Sequence, residues 1–219
     1  MNFNELYKFL HELQQNNHKE WMDANRKRYH ALRDDFIAFL EELNRRLTKH
    51  DPAFIPKPPR EAMTRINNNL LFHPNAPTYK DNFGADLEAG KHQASFYVHV
   101  GLGENMAAGG FYKPPNAYLK RIRAAIDYDG ERLQAIITDP TFKQYFGELL
   151  DTGKLKTAPK GYSQDHPYIE LLRHKSFAVA RYFEPETVVS DKYMDELVET
   201  FKAMQPLRNY LNQAMSVEG

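Results

Sequence analysis

Apolar residues recur at Phe3, Leu6, Leu10 and Leu13, three and four positions apart, and this spacing predicts an amphipathic helix at the start of the chain. Asn2, followed three residues later by Glu5, has the form of a capping box that opens the helix; Asn16 and Asn17 close it. A second box, Asn17 with Glu20, opens a longer helix whose apolar line runs Trp21, Tyr29, Leu32, Phe36, Leu40, Leu43 and Leu47. Its other face sets Asp23 before Lys27, Glu41 before Arg45 and Glu42 before Arg46 at i,i+4, which reads as solvated surface. The Trp21 line reads as core or interface. The prolines of "DPAFIPKPP" end this helix by removing donors and fixing φ.

Beyond Pro59 the period changes. Strands are predicted near 61–66, 83–88, 94–101 and 106–112; in "ASFYVHV", Phe96, Val98 and Val100 share one face while Tyr97 and His99 share the other. The connections are too short for helical crossovers, so the pairing is expected to be antiparallel. Pro114 and Pro115 start a helix through Leu119, Ile122 and Ile126. Shorter helices follow at 130–138 and 140–150, separated by Asp139–Pro140, and "SFAVARYF" at 176–183 reads as a strand returning to the sheet. A last helix starts at Asp191, capped by Ser190 or Asp191, with Pro206 as a point of kinking. The expected fold class is α+β. It is a single domain over residues 1–219, with a helical part at 1–50 and a sheet-containing part at 51–219, and a largely antiparallel sheet flanked by helices.

Composition narrows the chemistry. Twenty-nine basic residues balance twenty-nine acidic ones, so no overall field favours nucleic acid or an anionic membrane, and any preference for anions must be local. The chain has no cysteine, which excludes disulfides, thiolate nucleophiles and sulfur-ligated metals. Its nine histidines form no H-x-H or H-E-x-x-H spacing, and His92 and His99, seven apart, would leave a continuous strand on opposite faces. No metal or cofactor is expected. The start of the chain has no basic region leading into an apolar run, and no stretch approaches the length of a membrane span; a cytoplasmic location is the expectation. No signal speaks for an oligomeric state.

Two apparent motifs dissolve on inspection. Gly101 and Gly103 are spaced as G-x-G, but the third glycine and the adjoining helix of a dinucleotide loop are missing, so a hairpin turn is expected, with Gly109 and Gly110 allowing a bend or bulge. "GYSQD" lacks the last glycine of a nucleophile elbow, and Ser163 is not read as a nucleophile.

Two polar loops remain. "RINNNLLFHPNAPTYKDNFG" places Arg65 and Lys80 where they can hold an anion, and Asn67 to Asn69 offer amides for backbone or ligand. "PKGYSQDHPYIELLRHKS" carries Lys160, Tyr162, Asp165 and His166. Asp165 or His166 can cap a short helix begun by Pro167, a duty that alone would account for both; as a pair they can also orient a substrate or move a proton near neutral pH. The functional expectation is a small anionic ligand bound where the 65–80 loop meets the 159–167 loop. Arg65, Asn67, Tyr79, Lys80, Lys160 and Tyr162 would contact it, and His166, assisted by Asp165, would be the acid–base group. The residues admit both binding alone and a reaction. A competing reading is an interaction or scaffold module that presents the long helices, which an exposed apolar stripe at Trp21 and Phe36 would favour.

The order of motifs "FLHELQQNNHKEWMDANRKRY", "RINNNLLFHPNAPTYKDNFG", "GGFYKPPNAYLKRIRAAI" and "LKTAPKGYSQDHPYIELLRHKSF" resembles the bacterial and fungal family catalogued as domain of unknown function 2461, a group of conserved hypothetical proteins. Its pattern is close to R-I-N-R-D-x-R-F-x-x-x-K-x-P-Y-K. Arg65, Ile66, Asn67, Phe72, Tyr79 and Lys80 agree, whereas Asn68, Asn69, Leu71 and Ala76 stand where it prefers arginine, aspartate, arginine and lysine. The Pro-Lys-Gly-Tyr and Asp-His-Pro elements agree fully. The resemblance implies no substrate; with three cations and one carboxylate missing, it implies a smaller or less charged ligand than a polyanion, or a scaffold whose activity is lost.

Overall fold

Phe3–Gln15 forms helix α1 in the computed structural model, which describes residues 1–216. Asn2 caps α1 by accepting the Glu5 N–H at 3.1 Å, but the box stays half closed, because the Glu5 carboxylate is drawn to Arg28 at 2.8 Å. Arg28 belongs to α2, Lys19–His50, which begins after His18 with no side-chain cap. The box expected from Asn17 and Glu20 does not form; Asn17 turns to the backbone of Tyr79 instead.

The buried stripe of α2 is Met22, Leu32, Phe36, Ile37, Leu40, Leu43, Asn44 and Leu47. Trp21 and Tyr29 of the predicted line are half-buried at its margin, Trp21 against Phe9 with ring centroids 5.6 Å apart. Phe36 is wholly buried and meets Phe83 edge-on at 5.5 Å; burying such a ring contributes about 1.5–3 kcal/mol.

The strand expected at 61–66 is absent. Pro58 and Pro59 preset the φ of a first helical turn, so Pro59–Ala62 forms the short helix α3, and only single bridges come after it, Met63 to Ala85 and Asn67 to Tyr79. The other four strands form with small shifts at their ends: β1 at Asn82–Asp86, β2 at Ser95–Gly101, β3 at Asn105–Phe111 and β4 at Phe177–Tyr182. They make one antiparallel sheet in the order β1-β2-β3-β4, with Gly84 opposite His99 in the β1–β2 register. The G-x-G segment is the β2–β3 turn, closed by the Asn105 side chain accepting the Gly101 N–H at 3.2 Å.

Helix α4 spans Asn116–Thr138 and joins the two helices expected there across a non-helical Asp129 (φ −143°, ψ 53°); the Tyr210 hydroxyl donates to the Asp129 carbonyl at 3.2 Å. Asp139 caps α5, Pro140–Phe146, which stops short of residue 150 because Gly147 takes a left-handed φ of 68°. Short helices α6, Ile169–Leu172, and α7, Pro185–Val188, precede α8, Tyr193–Ser216, which continues through Pro206. Eight helices among the described residues and one antiparallel sheet make the class α+β. No described helix is long and apolar enough to cross a membrane.

The chain divides into two compact units. The first comprises Met1–Ala89, Tyr97–Ala107 and Tyr182–Glu199, and its core gathers Phe3, Phe39 and Tyr193, with Phe3 edge-on to both at 5.2 and 5.4 Å. The second comprises Gly90–Phe96, Ala108–Arg181 and Thr200–Gly219. There Phe96 meets Phe201 edge-on at 5.1 Å, and the buried Arg208 lays its guanidinium over Phe201 at 4.6 Å while its Nε donates to the Ala94 carbonyl.

Candidate functional site

In the first unit, the loop carrying Arg65 and Lys80 is a narrow hairpin. The Lys80 N–H donates to the Ile66 carbonyl at 2.7 Å and the Asn68 N–H to the Thr78 carbonyl at 3.0 Å, with the Asn67–Tyr79 bridge between them. At its tip the Asn69 carbonyl accepts from Phe72 and His73. The hairpin is held at its base by Asn17, whose Oδ1 accepts the Tyr79 N–H at 2.8 Å while its Nδ2 donates to the Tyr79 carbonyl at 2.9 Å. One side chain thereby imitates a neighbouring strand. Asn17→Ala strips both bonds and leaves a part-buried N–H unmatched, so it should cost about 2 kcal/mol and speed amide exchange at Tyr79. An unchanged urea midpoint together with unchanged exchange would contradict this role.

This clamp buries Tyr79, whereas Asn67 and Arg65 are exposed. Lys80 is half-buried and its Nζ donates to the Arg65 carbonyl at 2.7 Å; burial, and then the neighbouring Arg65 charge, push the Lys80 ammonium below its ordinary range. Arg65 has no ion pair among the described residues. Two cations therefore lie side by side without a carboxylate bound to either.

The alternation of β2 puts Tyr97 and His99 on one strand face but by itself assigns them no role. The Tyr97 hydroxyl and His99 Nδ1 lie 3.1 Å apart, and the missing side chain of Gly84 makes room for that hydroxyl, which a Cβ at this position would strike. Burial lowers the His99 pKa, Glu104 and Asp81 work against that shift, and Lys80 adds to it. The charge of Lys80 thus acts on a ring nineteen positions away in sequence, a proximity that no local pattern encodes.

In the second unit, Pro159–His166 is a run of tight turns. Tyr162 N–H donates to the Pro159 carbonyl, Gly161 has a φ of 97°, and Asp165 N–H donates to Ser163 Oγ. The helix expected from Pro167 begins only at Ile169, after Tyr168 and with no side-chain cap, so neither Asp165 nor His166 caps it; His166 Nδ1 instead accepts the Tyr168 N–H at 3.0 Å and closes a turn ahead of it. That bond fixes the tautomer: the proton sits on Nε2 and is donated to Asp127 Oδ1 at 3.0 Å. The carboxylate beside His166 is therefore Asp127 of α4; Asp165 is exposed and takes part in no ion pair among the described residues.

Tyr162 stands edge-on to His166 at 6.1 Å, and its hydroxyl pKa is raised by burial and by Asp127, with Arg123 opposing. Arg123, one turn before Asp127, donates to the Leu172 and His174 carbonyls at 2.9 and 3.2 Å and fixes the end of α6. Tyr168 packs its ring where Gly130 has no side chain. Lys160 is exposed. The unit thus brings Tyr162 and His166 together and adds Asp127 and Arg123, two residues that the sequence hid because they lie i,i+4 on a distant helix. With the Nδ1 lone pair taken by the Tyr168 N–H and the Nε2 proton held by Asp127, the ring can take up or pass on a proton only when one of these two bonds opens. Among the described residues no three His, Asp or Glu side chains gather to hold a metal ion.

The family model for conserved hypothetical proteins (DUF2461) matches residues 5–210. The chain belongs to this family. No curated protein and no solved structure matches it. Against the DUF2461 pattern, the neutral residues of the first loop have visible places. Asn68 donates its amide to the Pro77 carbonyl at 2.8 Å, the Asn69 carbonyl closes the tip, Leu71 is 84% exposed and Ala76 is half-buried. Asn68 and Asn69 here hold the backbone of the hairpin.

Proposed function

We propose that this DUF2461 protein binds a small anionic ligand, with Arg65 and Lys80 as its charged contacts and Asn67 and Tyr79 as their supporting neighbours. The observation that supports the reading is the unmatched cation pair: the two side chains repel one another, Lys80 is partly withdrawn from water, and a bound anion would relieve both costs. The second unit is proposed by itself as a separate polar cluster, in which His166 is the proton-handling group, Asp127 takes the part expected of Asp165, and Lys160 and Tyr162 are contacts for a ligand bound within that unit.

A charge-assisted hydrogen bond contributes about 1.5–3 kcal/mol, so removing one contact should weaken binding about tenfold or more. Calorimetric titration with inorganic phosphate, pyrophosphate and citrate tests this. Arg65→Ala and Lys80→Ala should each weaken whichever anion binds. A wild type inert to all three, or affinity retained by both variants, would sink the proposal.

The interaction-module reading gains nothing from the long helix, where Phe36 is wholly buried, but Leu71 and Phe72 at the hairpin tip are 84% and 73% exposed. Any partner surface in the first unit is better sought there.

A further inference from the structure

The second unit contains a half-polar cleft of about 290 Å³, walled by α4, α5, the segment after α5 and α6, and lined by none of the proposed ligand contacts. His174 lines it. This side chain is only 7% exposed and packs against Phe177 with centroids 5.8 Å apart, yet neither ring nitrogen makes a hydrogen bond to any described residue. Burial, and then the nearby Lys154, hold the imidazole neutral at physiological pH. A neutral ring presents one N–H and one lone pair, which a ligand entering the cleft can engage.

The charges around the ring divide into occupied and free. Glu170 is bound by Arg173 at 2.6 Å and lies 4.0 Å from Lys154; Asp151 Oδ1 accepts the N–H groups of Gly153 and Lys154 at 2.8 and 3.2 Å. Lys143 and Glu148, both exposed at the rim, have no ion pair among the described residues, and the Gln134 side chain makes no hydrogen bond to any of them. An anion alone would meet Lys143 but also face Glu148; a cation alone would meet the reverse. A ligand carrying both charges matches both rim residues, and a cleft of about 290 Å³ suits a small molecule.

We infer that this cleft binds a small zwitterion of the free amino-acid class, its carboxylate at Lys143, its ammonium at Glu148 and a polar group on the His174 ring. The assignment is independent of the anion site at Arg65 and Lys80. To test it, the imidazole resonances of His174, assigned through its backbone, are followed in the full chain at neutral pH as free amino acids are added at millimolar concentration. At least one should shift them saturably, and Lys143→Ala and Glu148→Gln should each weaken that binding about tenfold, whereas acetate and methylamine should leave the ring unmoved. The inference is overturned if no amino acid moves the resonances, if either variant binds as tightly as the wild type, or if acetate or methylamine binds as well as the amino acid.

Discussion

Gly110→Ala is expected to lower the melting temperature by about 10 °C. Gly110 in β3 has a φ of 103°, a left-handed conformation that an L side chain resists at a cost of roughly 1–2 kcal/mol. A Cβ there would also collide with the backbone of β4, at the Phe177 carbonyl oxygen and the Ala178 Cα. A backbone obstacle cannot rotate away as a side chain can, so the strands must separate, and overpacking of this kind costs a further 1–3 kcal/mol or so. Gly103, in the β2–β3 turn, is the matched control: a Cβ there meets nothing and φ is not left-handed, so Gly103→Ala should change stability by no more than about 0.5 kcal/mol. Thermal unfolding of both variants decides the matter, and equal melting temperatures would show that β3 and β4 are not held at the separation described.

Acidification from pH 6.5 to about 4 should remove up to about 3 kcal/mol of stability through His174 alone. Burial pushes this imidazole down to about 4 from its ordinary 6.5, with Lys154 pushing the same way and Asp151, Glu170 and Glu148 opposing. Above pH 6.5 the ring is neutral in both native and unfolded chains and contributes no pH dependence. Between 6.5 and 4 the unfolded chain takes up a proton that the native one refuses, so the native state loses ground as pH falls; below 4 both are protonated and the loss is complete. Urea midpoints measured across this window should fall steeply for the wild type and more shallowly for His174→Gln. Parallel curves would mean that the native ring titrates freely.

Most of the fold is legible in the sequence because it is written in local period. The alternation of Phe96, Val98 and Val100 predicts β2, and Asp139–Pro140 predicts the start of α5. The errors fall where a local rule has a stronger rival. Residues 61–66 read as a strand, but Pro58 and Pro59 already fix a helical turn. Asn17 has the form of a cap and finds two backbone partners at Tyr79 instead. The candidate site is legible only as residue types. Arg65 and Lys80 are recognisable as cations, but that Lys80 bonds the Arg65 carbonyl depends on the hairpin between them. His166 is recognisable as a base; its actual carboxylate, Asp127, lies thirty-nine residues earlier, and only the packing of α4 on α6 brings the two together.

The bond from the Tyr168 amide to His166 Nδ1 has a consequence for the loop that carries it. The ring spans two partners, receiving a hydrogen from the chain just ahead of Ile169 and giving one to Asp127 of α4. His166 is in this sense a rivet: a side chain able to make only one of the two bonds would leave either the turn or its hold on the helix undone.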